Sequence, residues 1–338
     1  MNSATDNSAI SPWLRGILDA TLAEQRRAHG LLIQGPLGVG KANLAAVLGA
    51  RLLGAGPDRV EDLSPDDASA YLKADETSVA GLSHPDLRWL VPERVGGTIG
   101  VDQVRALLAA LSLTSHSGRG KVAIILPAEA MTLAAANALL KTLEEPTPDT
   151  HLLLVSHRPG LLPATILSRC RRVVIPTPEH QQGLDWLSRS SREKPAEWDR
   201  LLTLARQAPW RALELQSLDY ISLNNKLLDI IDSISSSQSD PVPVAAAWAK
   251  TDTAIHLDWL VSFLERSIRQ QTQGRNGVTE LDLPILHNAH QPGKLLFRLL
   301  DEARRLRDAI GTGINMELAL RALLQEFVPQ TVTARKQL

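Results

Sequence analysis

The spacing of apolar residues changes character near residue 178. Before it, short apolar runs alternate with stretches in which apolar residues recur every three or four positions. After it only the helical spacing remains. Residues 29–34, 86–91, 121–126, 151–155 and 172–175 predict five strands, the last closed by Pro176. Between them lie amphipathic helices. Ser11 is placed as N-cap and Pro12 as the first position of a helix over 11–28, with Leu14, Ile17, Leu18, Thr21 and Leu22 on one face. Residues 41–53, 101–113 and 131–143 supply three more. Short strands alternating with helices predict a parallel sheet covered on both faces.

Residues 54–86 interrupt this rhythm. They are rich in Asp, Ser, Gly and Pro and predict an excursion outside the sheet. Residues 179–219 read as two or three short helices. The stretch Ser233 to Pro243 is polar, ends in Pro-Val-Pro and predicts a loop. From 244 to 327 every segment reads as helix, with Leu257, Leu260, Val261 and Leu264 forming one stripe and Leu295, Leu296, Leu299 and Leu300 another. With 338 residues, two or three domains are expected.

The loop after the first strand carries the candidate chemistry. Gly35-Pro36-Leu37-Gly38-Val39-Gly40-Lys41-Ala42 fits the phosphate-loop pattern G-x-x-x-x-G-K-[ST] at every fixed position but the last. Such a loop turns backbone N–H groups, a lysine and a helix N-terminus towards phosphate. Its final hydroxyl ligates magnesium, and the methyl group of Ala42 has no lone pair to offer. A hydrolytic site also needs acidic residues at the tip of the third core strand. Here the tip is Leu126-Pro127, and Glu129 lies beyond it, either as a carboxylate favoured by a helix dipole or as a replacement base. Two magnesium determinants are thus missing, which predicts a fold built for nucleotide but without turnover.

Composition narrows the remaining classes. Thirty-six basic and 37 acidic residues give a net charge of −1, so no global field draws the chain to nucleic acid. The single cysteine, Cys170, excludes an internal disulfide or a Cys-rich zinc site within the chain and is expected to be a small core residue. Residues 1–8 lack the pattern of a secretory signal, and no apolar run reaches the roughly 20 residues that span a bilayer, so a cytoplasmic protein is expected. The histidines show no i, i+4 metal spacing. Arg304, Arg305 and Arg307 are interleaved with Asp301, Glu302 and Asp308, which favours a solvated helix face, with subunit contacts second, over a DNA-binding patch.

Three segments resemble a known family. These are Asn137-Ala-Leu-Leu-Lys-Thr-Leu-Glu-Glu-Pro146, Leu152-Leu-Leu-Val-Ser156 and Pro163-Ala-Thr-Ile-Leu-Ser-Arg-Cys170. Together they resemble the clamp-loader branch of the AAA+ proteins. The resemblance implies a RecA-like α/β domain with a parallel five-stranded sheet over 1–177, a helical lid over 178–219 and an all-α collar over 220–338. It implies partners as well: gamma/tau motor subunits, a delta subunit, the β sliding clamp and primer-template DNA. Arg169 of Ser-Arg-Cys is implied to reach a neighbour's ATP in trans, the alternative being an ion pair with a carboxylate of its own domain. Ser156 falls at the sensor position at the end of the fourth strand, or caps that strand. Arg211 falls where active relatives carry a lid arginine, or is an ordinary helix arginine. Gly35, Gly38, Gly40 and Lys41 keep the loop shape, with weak magnesium-free ATP or ADP binding left open and no cofactor required. Relatives carry a four-cysteine zinc module in the excursion; this chain has no cysteine there, and His84 stands alone, so no zinc is expected. The rival reading is an active ATPase motor.

Overall fold

The structure is a computed structural model that describes residues 10–24, 29–54, 85–94, 97–190, 197–273 and 291–329. The described chain divides into two compact units, Met1–Leu218 and Asp219–Leu338.

The first unit is built on five parallel strands, β1 (Gly30–Gln34), β2 (Leu87–Leu90), β3 (Lys121–Ile125), β4 (Thr150–Ser156) and β5 (Arg171–Val174), in the spatial order β2-β3-β4-β1-β5. The two-residue period of each strand sorts its side chains between two cores. Leu31 and Ile33 of β1 join Val122, Ile124, Leu153 and Val155 on one face, under helices α1 (Arg15–Ala23) and α2 (Lys41–Leu52). Leu32 joins Ala123, Ile125, Leu152 and Leu154 on the other, under α3 (Val101–Ser112) and α4 (Leu133–Glu144). Both faces are covered, so the strands are apolar throughout, as the sequence predicts for a parallel sheet.

Helix α2 is the most enclosed of these. Its residues 43–50 are all buried. Gly49 lets it approach the sheet: a Cβ there would lie 3.0 Å from Leu87 Cδ1 and 3.3 Å from Val122 Cγ1. The N-terminal segment differs from the predicted continuous helix. A 3-10 turn (Pro12–Leu14) precedes α1, which ends at Ala23, and the side chain of Ser11 makes no cap hydrogen bond. The short helix α5 (Ala164–Leu167) leads into β5, and α6 (His180–Ser190), α7 (Trp198–Leu204) and α8 (Pro209–Ser217) complete the unit. Of the predicted excursion, 55–84, including His84, lie outside the described residues.

The second unit is helical: α9 (Tyr220–Ser235), α10 (Pro241–Lys250), α11 (Thr253–Gln273), α12 (Pro292–Asp308) and α13 (Met316–Gln325). The predicted loop to Pro243 is shorter than expected. Pro-Val-Pro forms the first turn of α10, where N–H groups have no partner within the helix, and Asp240 Oδ1 accepts from Val242 N at 2.9 Å. Residues 309–315 turn instead of continuing the helix, with Gly311 and Gly313 at positive φ. Leu257, Leu260 and Leu264 pack inward with Leu296, Leu299 and Leu300, whereas Val261 and Leu295 are half-buried. The basic cluster of α12 is paired within its own unit: Arg304 with Glu265 (2.7 Å), Arg305 with Glu302 (3.4 Å) and Arg307 with Asp258.

Asp86 anchors the start of β2. It is 4% exposed, and it accepts from His116 N and Ser117 N, both at 2.8 Å, and from Ser115 Oγ at 3.1 Å. Burial pushes its carboxyl up, but the hydrogen bonds from 115–117 outweigh this and hold it well below the usual carboxylate range. The ionised form is therefore the one the fold stabilises. Its contribution is complete above about pH 5 and is lost as pH falls through the acid range. Asp86→Ala is expected to cost about 2–3 kcal/mol in urea unfolding at pH 7, with a smaller difference from wild type at pH 3.

Candidate functional site

At the carboxyl edge of β1 the chain turns through Gly35–Gly40 and enters α2 at Lys41. Gly38 and Gly40 have φ of 78° and 92°, backbone that disfavours a side chain. Both are also covered. A Cβ on Gly38 would lie 2.4 Å from Cβ of Arg211 and 2.7 Å from its backbone N, and one on Gly40 would lie 2.9 Å from Leu14 Cδ1 and from Trp210 Nε1.

The cover comes from both ends of the unit. Trp210 N donates to Gly38 O at 3.0 Å, and Trp13 Nε1 donates to Val39 O at 2.9 Å. Trp210 Nε1 donates to Ser11 Oγ at 3.0 Å, so the hydroxyl read as a helix cap serves as acceptor for the indole. Trp186 of α6 joins the two, with ring centroids 5.4 Å from Trp13 and 4.9 Å from Trp210. What remains over the loop is a cavity of about 60 Å³, lined by Leu37, Lys41, Leu126, His157 and Arg211 among others. That is room for a few waters, against the ~300 Å³ or more of pockets that take drug-sized ligands.

Lys41 is 3% exposed and its ammonium donates to Pro36 O within the same loop. Burial lowers its pKa to about 8, and the charge of Glu129 opposes the shift. Glu129 sits in a 3-10 turn (Ala128–Ala130) after β3. Its Oε1 accepts from His157 N (2.9 Å) and Arg158 N (3.0 Å) beyond the end of β4, so it ties β3 to β4 by hydrogen bonds. Its Oε2 is buried without a partner among the described residues. His157 is held neutral, its pKa lowered to about 4 by burial and then by the charge of Lys41. The edge thus holds an ammonium whose pKa burial lowers and a carboxylate whose charge opposes that shift. Ala42 and Leu126 stand where magnesium would need oxygen, so these residues do not fit a magnesium-bound nucleotide.

Ser156 ends β4 opposite Gln34 of β1; it is fully buried, and its Oγ has no partner among the described residues, so it does not cap the strand with its side chain. Arg211 lies over Gly38 and pairs with Glu214 at 2.5 Å. The structure therefore brings Gly35, Gly38, Gly40, Lys41 and Arg211 to one edge of the sheet.

Arg169 lies elsewhere. It precedes β5, whose residues Arg171–Val174 run parallel to Leu31–Gln34 of β1. It therefore sits at the amino edge of the sheet, separated from the loop by roughly 13 Å of strand or more. Arg169 Nε donates to Glu144 Oε1 at 2.7 Å, and Nη1 donates to Thr165 O and Ser168 Oγ, both at 3.2 Å. The carboxylate of its own domain, left open as an alternative, is thus Glu144. Cys170 beside it is buried, and burial pushes its thiol up to about 11, as suits a core residue.

Trp186 and the roles of Trp210 and Glu144 were not read from the sequence, in which Trp210 stood out only by its adjacency to Arg211 and Glu144 only as a member of the Leu-Glu-Glu-Pro segment.

The strand order and the loop after β1, with a helical region following, define the class: an α/β domain of the AAA+ kind. Comparison makes this specific. A family model described as "DNA polymerase III, delta subunit" matches residues 12–179, and one described as "DNA polymerase III, delta subunit, C terminal" matches 219–328. DNA polymerase III subunit delta' of Pseudomonas aeruginosa is 34% identical over 276 residues, 81% of this chain and 82% of that one. The subunit delta' of Escherichia coli K12 is 32% identical over 322 residues, 93% of each chain. A DNA polymerase III gamma subunit-related protein of Thermotoga maritima shares the fold, with a TM-score of 0.50 at 21% identity over 92% of this chain and 98% of that one. The chain belongs to the delta' family of DNA polymerase III subunits, within the clamp-loader group.

Two measurements check the closed loop. Trp210→Ala removes an indole that touches Ser11, Gly40 and Trp186, and is expected to lower stability by about 2–3 kcal/mol and to red-shift tryptophan emission. Lys41 gives a pH signature. The unfolded chain keeps its proton to about pH 10.5 while the folded chain releases it near pH 8. The unfolded state therefore binds more protons in that window, and this term makes stability rise with pH from about 8 to 10.5. Lys41→Met is expected to remove that component of the pH profile.

Proposed function

We propose that this chain is a non-hydrolysing clamp-loader subunit that lends Arg169 to the ATP site of a neighbouring motor subunit. The observation that carries the reading is the state of its own loop. The lysine is turned onto Pro36, the glycines lie under Trp210 and Arg211, and no oxygen ligand stands at position 42 or 126. A subunit built this way contributes to catalysis only at another subunit's site. The opposite-edge position of Arg169 supports the same reading, because its guanidinium lies beyond reach of its own loop but on a surface open to a neighbour. A guanidinium beside a γ-phosphate stabilises the charge that develops on the transferred group and contributes roughly 10³ to 10⁵ in rate.

In this role the chain requires no magnesium, zinc or nucleotide of its own. Residues 1–177 act as the RecA-like domain, 178–219 as the lid and 220–338 as the collar that joins the subunits. The partners are gamma/tau motor subunits and the delta subunit, and through the complex the β sliding clamp and primer-template DNA, in the cytoplasm.

The test is DNA-stimulated ATP hydrolysis by the reconstituted complex. Arg169→Ala is expected to lower turnover at least about tenfold with assembly unchanged. The purified chain alone is expected to show no turnover. ATP hydrolysis by the isolated chain that disappears in Lys41→Ala would establish the rival, an active motor.

A further inference from the structure

Nε and Nη1 of Arg169 are hydrogen-bonded within its own domain. Nε donates to Glu144 Oε1, Nη1 donates to Thr165 O and to Ser168 Oγ, and Nη2 is ion-paired with the same carboxylate oxygen without making a hydrogen bond among the described residues. The acceptors themselves are fixed. Ser168 Oγ donates to Thr165 O at 3.1 Å, closing the turn that ends α5. Glu144 is the last residue of α4, a helix whose Leu139 and Leu143 are buried in the core. Cys170 on the other side of the arginine is buried in the same core. The arginine backbone is thus held by its neighbour in sequence and its side chain by a residue 25 positions away.

The guanidinium remains accessible: the side chain of Arg169 is 35% exposed and that of Glu144 50%. An arginine with this exposure normally samples many rotamers, and ordering it costs conformational entropy. A paired, multiply bonded arginine has met that cost before any partner arrives.

Resting on the function proposed above, we infer that Glu144 is a positioning residue for Arg169. It holds the plane of the guanidinium so that the uncommitted edge of Nη2 faces outward, towards the anionic phosphate of a nucleotide carried by another subunit. Glu144 touches neither nucleotide nor reacting atoms, and acts only through Arg169.

This makes a specific kinetic claim. ATP is bound by the neighbour's own loop, so KM for ATP stays unchanged, while kcat falls when the arginine loses its orientation. The experiment is a double-mutant cycle on DNA-stimulated ATP hydrolysis by the reconstituted complex, with Glu144→Ala, Arg169→Ala and the double variant, and with subunit assembly measured for each. Glu144→Ala is expected to lower kcat roughly tenfold without change in KM. The double variant is expected to match Arg169→Ala alone, because the second change has nothing left to act through. Should Glu144→Ala fail to assemble, Glu144→Gln, which keeps an acceptor for Nε, replaces it in the same cycle with a several-fold loss expected. Turnover in Glu144→Ala equal to or above wild type, or losses that multiply in the double variant, would overturn the positioning role while leaving the function of Arg169 intact. An Arg169→Ala complex with wild-type turnover would instead remove the underlying proposal.

Discussion

The contact between the first turn of α8 and Gly38 sets the character of this molecule. One backbone hydrogen bond, Trp210 N to Gly38 O, joins a three-helix segment to the loop between β1 and α2. The side chain that follows, Arg211, then lies so close that no residue with a Cβ fits at position 38. A glycine that would admit phosphate in an open loop here admits a helix of the same chain. The indoles of Trp13, Trp186 and Trp210 extend the contact with apolar area and with two hydrogen bonds from indole nitrogens. Val39, Gly40 and Lys41 thereby become part of the interior while Pro36 and Leu37 stay exposed, and the apolar core beneath α2 continues into the cover above it.

Burial of Lys41 has an electrostatic consequence. An ammonium kept from water is destabilised unless something compensates it. Lys41 finds Pro36 O at hand and the charge of Glu129 across the sheet edge, and His157 between them stays neutral. Glu129 in turn is oriented by two backbone N–H groups past β4. Lys41 and Glu129 thus direct their hydrogen bonds at backbone of their own unit, Pro36 O and the N–H groups of His157 and Arg158.

The parallel sheet separates the two clusters of interest. Residues that follow β1 gather at its carboxyl edge, and residues that precede β5 gather at its amino edge. Within one chain, Arg169 and Lys41 stand at opposite edges of the same pair of strands. At the amino edge, Gly30, Leu143 and Cys170 pack closely enough that a Cβ on Gly30 would lie 2.8 Å from Leu143 Cδ2, so the Glu144–Arg169 pair rests on a tightly packed base.

Much of this was legible in the sequence, because strand and helix periods are local. The alternation of Leu31, Leu32 and Ile33 between two faces, the amphipathic spacing of α3 and α4, and the switch to helices alone after β5 each follow from residues a few positions apart. The glycine-lysine loop and the absence of magnesium ligands at Ala42 and Leu126 were equally local. Where neighbours compete for a group, the reading failed. Ser11 has the sequence of a helix cap, yet its hydroxyl accepts from an indole 199 residues away. Pro243 looked like part of a loop, but the first turn of a helix tolerates it. The closure of the phosphate loop, the coupling of Lys41 to Glu129 and the pairing of Arg169 with Glu144 depend on which distant side chains share a small volume, and only the tertiary packing decides that.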